Sequence, residues 1–355
     1  MCKKTLCFIL IFLLLPCAGC YDAIEIDELA YVVAVGIDKS ESNTFRITFQ
    51  YAVPLNIASG IDGSKGEEAP LNSLTFDTDS LHLALDTANS KIAKITDLSH
   101  LSVILIGEEA AKSDLDYLRE DIKTVSDLRH DACMAICEGK AEEKLNSVSS
   151  PLELSPTRFY TDFFANPASG YGLKQTVAVF LQKHHALALP FLQKNNPFEI
   201  SGMAVLKEDS LLKIYLKEDI LLYNLLKSTF SDLKYETENG VYRIDARSKP
   251  QITIRAESNP VISVSLDLTG EPLSGKDFLF SDNKRAVQDI TDTLKKDISA
   301  FLEKTKKDNC DLMFFEQYAR PCFATEKKLK QYKWSLKYPF SAFSVHINFR
   351  NTKTN

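Results

Sequence analysis

Leu29 to Ile37 is a nearly unbroken apolar run, the pattern of a buried strand. Asp38 to Asn43 is polar turn material. Phe45, Ile47, Phe49, Tyr51 and Val53 then alternate with Arg46, Thr48 and Gln50. Period two predicts a half-buried strand, and the two runs together predict an antiparallel hairpin. Pro54 to Asn72 has no period and is rich in Gly, Ser and acid, so it reads as an exposed loop.

Helical spacing follows. Ser80 is placed to cap a helix whose apolar stripe is Leu81, Leu85, Ala88, Ile92 and Ile95. Leu101 to Ile106 is the next buried strand, closed by Gly107. Ser113 with Asp116 resembles a capping box ahead of a helix with Leu115, Leu118 and Ile122 inward. Cys133 to Cys137 reads as a strand and Ala141 to Val148 as a short helix. Residues 151–200 mix prolines with aromatics (Phe159, Tyr160, Phe163, Phe164, Tyr171) and read as a helical connection out of a first domain.

A second hairpin is expected from Ile200–Leu206 and Leu211–Tyr215 around Glu208-Asp209-Ser210, followed by a helix over Asp219–Lys227. Val241–Ala246, Ile252–Ala256 and Val261–Leu268 are β-branched enough for three more strands. Ser281 to Lys307 carries the longest helical stripe, Val287, Ile290, Leu294, Ile298, Phe301 and Leu302, with lysines and acids opposite. A short helix over Thr325–Tyr332 and an alternating strand through Phe343, Val345, Ile347 and Phe349 end the chain. The class is α+β, with mostly antiparallel sheets and helices packed on them. The expected divisions are 1–19, 20–196, 197–257 and 258–355: a leader and three domains.

Composition narrows the class further. With 355 residues, 45% of them hydrophobic and 25% charged, the chain can build two or three cores. A formal charge of -6 argues against a nucleic-acid footprint and against attraction to an anionic membrane. Attachment to a membrane would need another source, and the N-terminus offers one. Lys3 and Lys4 precede an apolar run from Leu6 to Leu15, too short to cross a bilayer but of signal-peptide size. Cys17-Ala18-Gly19-Cys20 follows and looks like a lipobox, with cleavage after Gly19 and lipidation of Cys20.

Candidate chemistry is sparse. Cys133 and Cys137, four apart on one strand face, are too distant to bond and read as buried thiols. The spacing of Cys310 and Cys322 permits a pair across a turn. His184-His185, read on a helix, would diverge by about 100° and chelate a metal poorly. His100 reads as a strand-boundary residue and His346 as a solvated one. No nucleophile elbow, P-loop or dinucleotide fingerprint is present. The reading is of no enzyme, no metal and no cofactor.

Three blocks carry a resemblance. The first is Cys20-Tyr21-Asp22 with Glu25-Ile26-Asp27-Glu28-Leu29-Ala30 and Val33-Ala34-Val35-Gly36-Ile37-Asp38. The second is Leu98-Ser99-His100-Leu101 with Ile104 to Lys112. The third runs from Ser201-Gly202-Met203-Ala204-Val205 to Cys310-Asp311-Leu312 and the terminal strand. These resemble the Ger(x)C family, the lipoprotein C subunits of spore nutrient germinant receptors. Tyr21 stands where the family commonly has Trp, and Met313-Phe314-Phe315 where it often has Gly. The resemblance implies an α+β lipoprotein on the outer face of the spore inner membrane, partnered by integral-membrane subunits of A and B type. Proximity to the anchor makes Tyr21, Asp22, Glu25 and Ile26 the candidate partner contacts. The alternative function is a solute-binding lipoprotein of a nutrient uptake system.

Overall fold

The computed structural model describes residues 25–42, 44–53, 71–113, 115–147, 156–165, 172–194, 198–228, 230, 232–275 and 283–352. The expected signal peptide, Cys20, Tyr21, Asp22 and most of the 54–72 loop lie outside them.

In chain order the strands are β1 (Leu29–Lys39), β2 (Phe45–Ala52), β3 (Leu71–Thr78), β4 (Ile95–Asp97), β5 (Val103–Gly107), β6 (Cys133–Cys137), β7 (Ala186–Leu192), β8 (Ile200–Lys207), β9 (Ser210–Leu216), β10 (Leu233–Thr237), β11 (Gly240–Ala246), β12 (Gln251–Ala256), β13 (Pro260–Gly275) and β14 (Ala342–Asn351). The helices are α1 (Leu81–Lys91), α2 (Glu108–Ala111), α3 (Asp116–Thr124), α4 (Ala141–Asn146), α5 (Pro156–Ala165), α6 (Val177–Leu181), α7 (Lys217–Lys227), α8 (Asn283–Lys307), α9 (Phe315–Ala319), α10 (Glu326–Tyr332) and α11 (Trp334–Lys337).

Among the described residues the strands form two sheets. The first has the order β3-β2-β1-β5-β6-β7-β8-β9, with β4 beside the start of β1. Its centre is parallel: β1–β5, β5–β6 and β6–β7. Its flanks are antiparallel hairpins, β1–β2–β3 and β7–β8–β9. The unbroken apolar runs of β5 and β6 follow from this placement, since central parallel strands are covered on both faces. Val103 and Leu105 face one core while Ile104 and Ile106 face the other. Helices α1, α2, α3 and α6 cover the second face. The first face joins α4, α5 and α7 in one apolar core that continues into the second sheet.

The second sheet runs β10-β11-β13-β12, with β14 parallel to β13. β13 alternates buried and half-buried positions from Pro260 to Pro272, and its buried set faces α8 through Ile290, Leu294, Ile298 and Phe301. Antiparallel pairings outnumber parallel ones across the two sheets.

The expected division at 196/197 lies between β7 and β8, which pair from Ala186↔Lys207 to Leu192↔Ile200, and that at 257/258 between β12 and β13, which also pair. Several local expectations are corrected. The segment 151–200 holds α5 and α6 but ends in a strand. Pro190 hid β7, and it is tolerated because β7 meets β6 only at Phe191 and Leu192, beyond the missing N–H. The α1 stripe stops at Lys91, and Ile95 lies in β4. Ser80 does cap α1, accepting the Leu83 N–H at 3.1 Å. Ser113 does not cap α3, which begins after Leu115 with no side-chain cap.

Candidate functional site

Glu25 and Ile26 open the described chain. Glu25 is exposed, and its backbone N–H donates to the Glu28 carboxylate at 3.3 Å. Ile26 is 77% exposed, in a single turn of 3-10 helix that leads into β1. None of the three residues of that turn is buried.

At its other end β1 delivers Asp38 to the point where the first sheet changes direction. The chain leaves β1 toward β2 on one side and returns to β5 on the other, and such switch points form crevices in open sheets. Asp38 is 3% exposed. Its Oδ1 accepts the Ala141 N–H at 2.7 Å and its Oδ2 the Glu142 N–H at 2.9 Å. The carboxylate therefore caps α4 from a distant strand, filling the place an external anion would take. Burial pushes its pKa up against those two bonds. Gly107, at the end of β5, makes room for it: a Cβ there would lie 2.1 Å from Asp38 Oδ1.

A second cluster ties the two sheets together. Glu208 and Asp209, at φ 49° and 66°, form the two-residue turn between β8 and β9. Asp209 is buried against Arg119 of α3, and Arg119 also donates to Phe180 O at 2.8 Å and Asp116 at 2.9 Å. His184 and His185 lie in the α6–β7 connection rather than on a helix. Nε2 of each is buried without a hydrogen-bond partner among the described residues, and burial lowers both pKa values. Phe314, from the loop between α8 and α9, stacks on His184 at 4.4 Å. The Lys227 ammonium lies 4.3 Å from the Phe314 ring, and burial pulls it down to about 8. Asp311 anchors the same loop. It accepts the Phe315 and Glu316 N–H groups at 2.9 and 3.0 Å and the Trp334 indole N–H at 3.0 Å, and burial raises it to about 6.

Sequence reasoning read Asp38 as the start of turn material and as part of a resembling block, and Asp311 only as part of one. An acid closing an apolar run was the available signal for Asp38. Arg119 gave none, because a cation in an amphipathic helix reads as solvent-facing.

Among the described residues no group of three or more His, Cys, Asp or Glu side chains could hold a metal ion. Cys133, Cys137, Cys310 and Cys322 are all free thiols, the first three buried and Cys322 exposed. Burial raises Cys133 to about 11 and Cys310 to about 12, so neither is a ready nucleophile. Cys322 donates instead to Ile254 O at 3.1 Å. His100 packs edge-on against Tyr31, and His346 is exposed beside Ser344. The buried acids of this region serve as caps, Asp38 on the first N–H groups of α4 and Asp311 on those of α9.

A family described as spore germination protein N-terminal domain matches residues 22–192. One described as spore germination B3/GerAC like, C-terminal, matches residues 201–353. The chain is similar to spore germination protein KC of Bacillus subtilis (strain 168), at 22% identity over 88% of this chain and 86% of that protein. It is similar to the putative spore germination protein YfkR of the same strain, at 22% identity over 97% and 95%. The crystal structure of the GerBC protein superposes with a TM-score of 0.57 and 15% identity, covering 90% of this chain and 96% of that one, a likeness of fold.

Proposed function

Because this chain belongs to the Ger(x)C family of spore germination proteins, we propose that it serves as the lipid-anchored C subunit of a spore nutrient germinant receptor. The observation that carries the reading is the pair of family matches, which together run from residue 22 to residue 353. In this role the chain is non-catalytic. It sits on the outer face of the spore inner membrane, held by a diacylglyceryl group on Cys20, and assembles with integral-membrane subunits of A and B type. Two acyl chains hold a protein on a bilayer where one does so only marginally. No helix among the described residues is long and apolar enough to cross a membrane, so the anchor is the attachment proposed.

The first contacts lie beside that anchor. Ile26 lies six positions beyond Cys20, a step that reaches at most ~22 Å. Ile26 therefore stays close to the bilayer surface, where its exposed side chain and Tyr21, Asp22 and Glu25 meet the membrane subunits at high effective concentration. A tagged pull-down from dormant-spore membranes tests this, comparing native protein with Cys20→Ala. Recovery of two integral-membrane subunits, weakened in the variant, is the expected result. Recovery of transporter components, or of no membrane partner, would replace it with the solute-binding alternative.

A further inference from the structure

The chain's charge is unevenly placed. From Lys327 to Thr352 there is no Asp or Glu, and Lys327, Lys328, Lys330, Lys333 and Lys337 crowd the start of that stretch. They belong to α10, to the left-handed Lys333 and to α11. No residue of α10 is buried: Leu329 and Tyr332 are half-buried, and Lys327, Lys328 and Lys330 are exposed. Lys330 pairs with the exposed Glu326 at 3.4 Å. Lys327, Lys328 and Lys333 have no acid partner among the described residues. The Lys337 ammonium lies 4.0 Å from the Tyr332 ring centroid, so α10 and α11 meet in one surface.

Apolar side chains stand in the same surface. In α11 and the turn of 3-10 helix that follows it, Trp334 and Tyr338 enter the core. Leu336 and Phe340, two places beyond each, do not. Leu336 is 63% exposed and Phe340 66%; among the described large apolar side chains only Ile26 and Leu216 are more exposed. Apolar side chains rimmed by lysines on a helical surface suit the boundary of a bilayer, where Leu and Phe reach the acyl region and lysines meet phosphate. A nucleic acid would engage the lysines and leave Leu336 and Phe340 in water. Protein interfaces are depleted in lysine.

We propose that the α10–α11 face lies on an anionic phospholipid surface, its five lysines on phosphate groups and Leu336 and Phe340 inserted among them. The net charge of -6 concealed this face, because the acids lie elsewhere in the chain. The same surface repels that acidic remainder, so the contact also orients the anchored protein. The choice of a bilayer rests on the membrane-anchored reading above.

Tryptophan quenching tests the proposal. The full chain is incorporated into vesicles of phosphatidylcholine alone, or equimolar with phosphatidylglycerol, whose brominated acyl chains quench nearby indoles. Trp334, the single native tryptophan, is buried and sets the baseline. Leu336→Trp should be blue-shifted and quenched beyond that baseline in the anionic vesicles only. Leu83→Trp, at an exposed position of α1, should stay at the baseline in both. Salt at about 1 M should release residue 336. Lys327→Gln and Lys328→Gln, added singly to Leu336→Trp, should each shift its equilibrium away from the bilayer roughly fivefold, the worth of one lysine at such a surface. Both lysines are exposed and unpaired, and far-UV circular dichroism verifies folding. No quenching at residue 336, equal quenching in neutral vesicles, or indifference to both lysine variants would overturn the proposal. Binding to immobilised polyglutamate without vesicle engagement would overturn it too, assigning the face to an acidic protein. The vesicles hold no receptor subunits, so this result and the pull-down fail separately.

Discussion

Adding one methyl group at Gly107 should dislodge Asp38, and the size of the effect can be worked from the contacts. The new Cβ would lie 2.1 Å from Asp38 Oδ1 and 3.0 Å from Gly139 O. Asp38 has nowhere to retreat, since both its oxygens are committed to the first N–H groups of α4. Either the carboxylate is displaced and α4 loses its cap, or β5 moves away from α4. Overpacking costs ~1–3 kcal/mol, and a lost cap costs about 1 kcal/mol. Replacing Gly returns about 0.4–1 kcal/mol through the unfolded chain. Gly107→Ala should therefore cost about 2–3 kcal/mol net. Asp38→Ala alone should cost about 1–2 kcal/mol, because relief of the buried charge offsets part of the lost capping. In the Asp38→Ala background the principal clash is gone, and Gly107→Ala should then cost less than about 1 kcal/mol. The double-mutant cycle should show a coupling of about 1–2 kcal/mol. Urea unfolding followed by far-UV circular dichroism measures all four corners. Additivity within about 0.5 kcal/mol would mean the methyl is absorbed without touching Asp38, and the account of this crevice would fail.

Three shorter predictions follow from the same contacts. Trp334, the single tryptophan, bonds Asp311, so its emission should change as a native protein is acidified through about pH 6 and should not in Asp311→Asn. The folded pKa is raised above the 3.8 of an unburied aspartate. The stabilising increment is therefore complete below about pH 4 and lost as pH rises through about 6, so wild type should lose ground to Asp311→Asn across that window and hold level above it. Arg119→Met should destabilise by ~3–5 kcal/mol, because Asp209 is left buried beside only the exposed Lys183; adding Asp209→Asn should recover part of the loss, and a single-variant cost below about 1 kcal/mol in urea unfolding would refute the pairing. A maleimide applied to the native protein should label Cys322 rapidly and leave Cys133, Cys137 and Cys310 until unfolding, as peptide mass mapping would reveal.

The strands whose pattern came from burial were legible, and those whose pattern came from topology were not. β1, β5 and β6 announced themselves because covering on both faces demands continuous apolar sequence. β13 did so because one face meets α8 and period two follows. β7 was hidden by Pro190, β3 by its weak alternation at the edge of the sheet, and β10 by having only Leu233 and Tyr235 as apolar positions. The helix from Ser281 was placed within two residues of its observed start at Asn283. The parallel centre of the first sheet had no local signature, because hydrogen-bond direction leaves none in a strand of five residues.

The polar contacts were harder to see for a different reason. Asp38 and Ala141 are 103 residues apart, and Tyr235 and Asp297 are 62 apart. Each partner looks ordinary alone: an acid ending a strand, a tyrosine in an alternating strand, an aspartate on the polar stripe of a helix. Asp297 in particular read as part of a solvated face. That reading holds only where nothing rises beside the helix, and here the β10–β11 hairpin and α7 stand on either side of it. The face is then a wall. Its carboxylate sits half withdrawn from water, held by the Tyr235 hydroxyl near the apolar Leu221, Leu222 and Phe301. It is therefore the flanking elements, α7 and the β10–β11 hairpin, that give Asp297 a buried tyrosine as partner where its own helix pattern predicted only water.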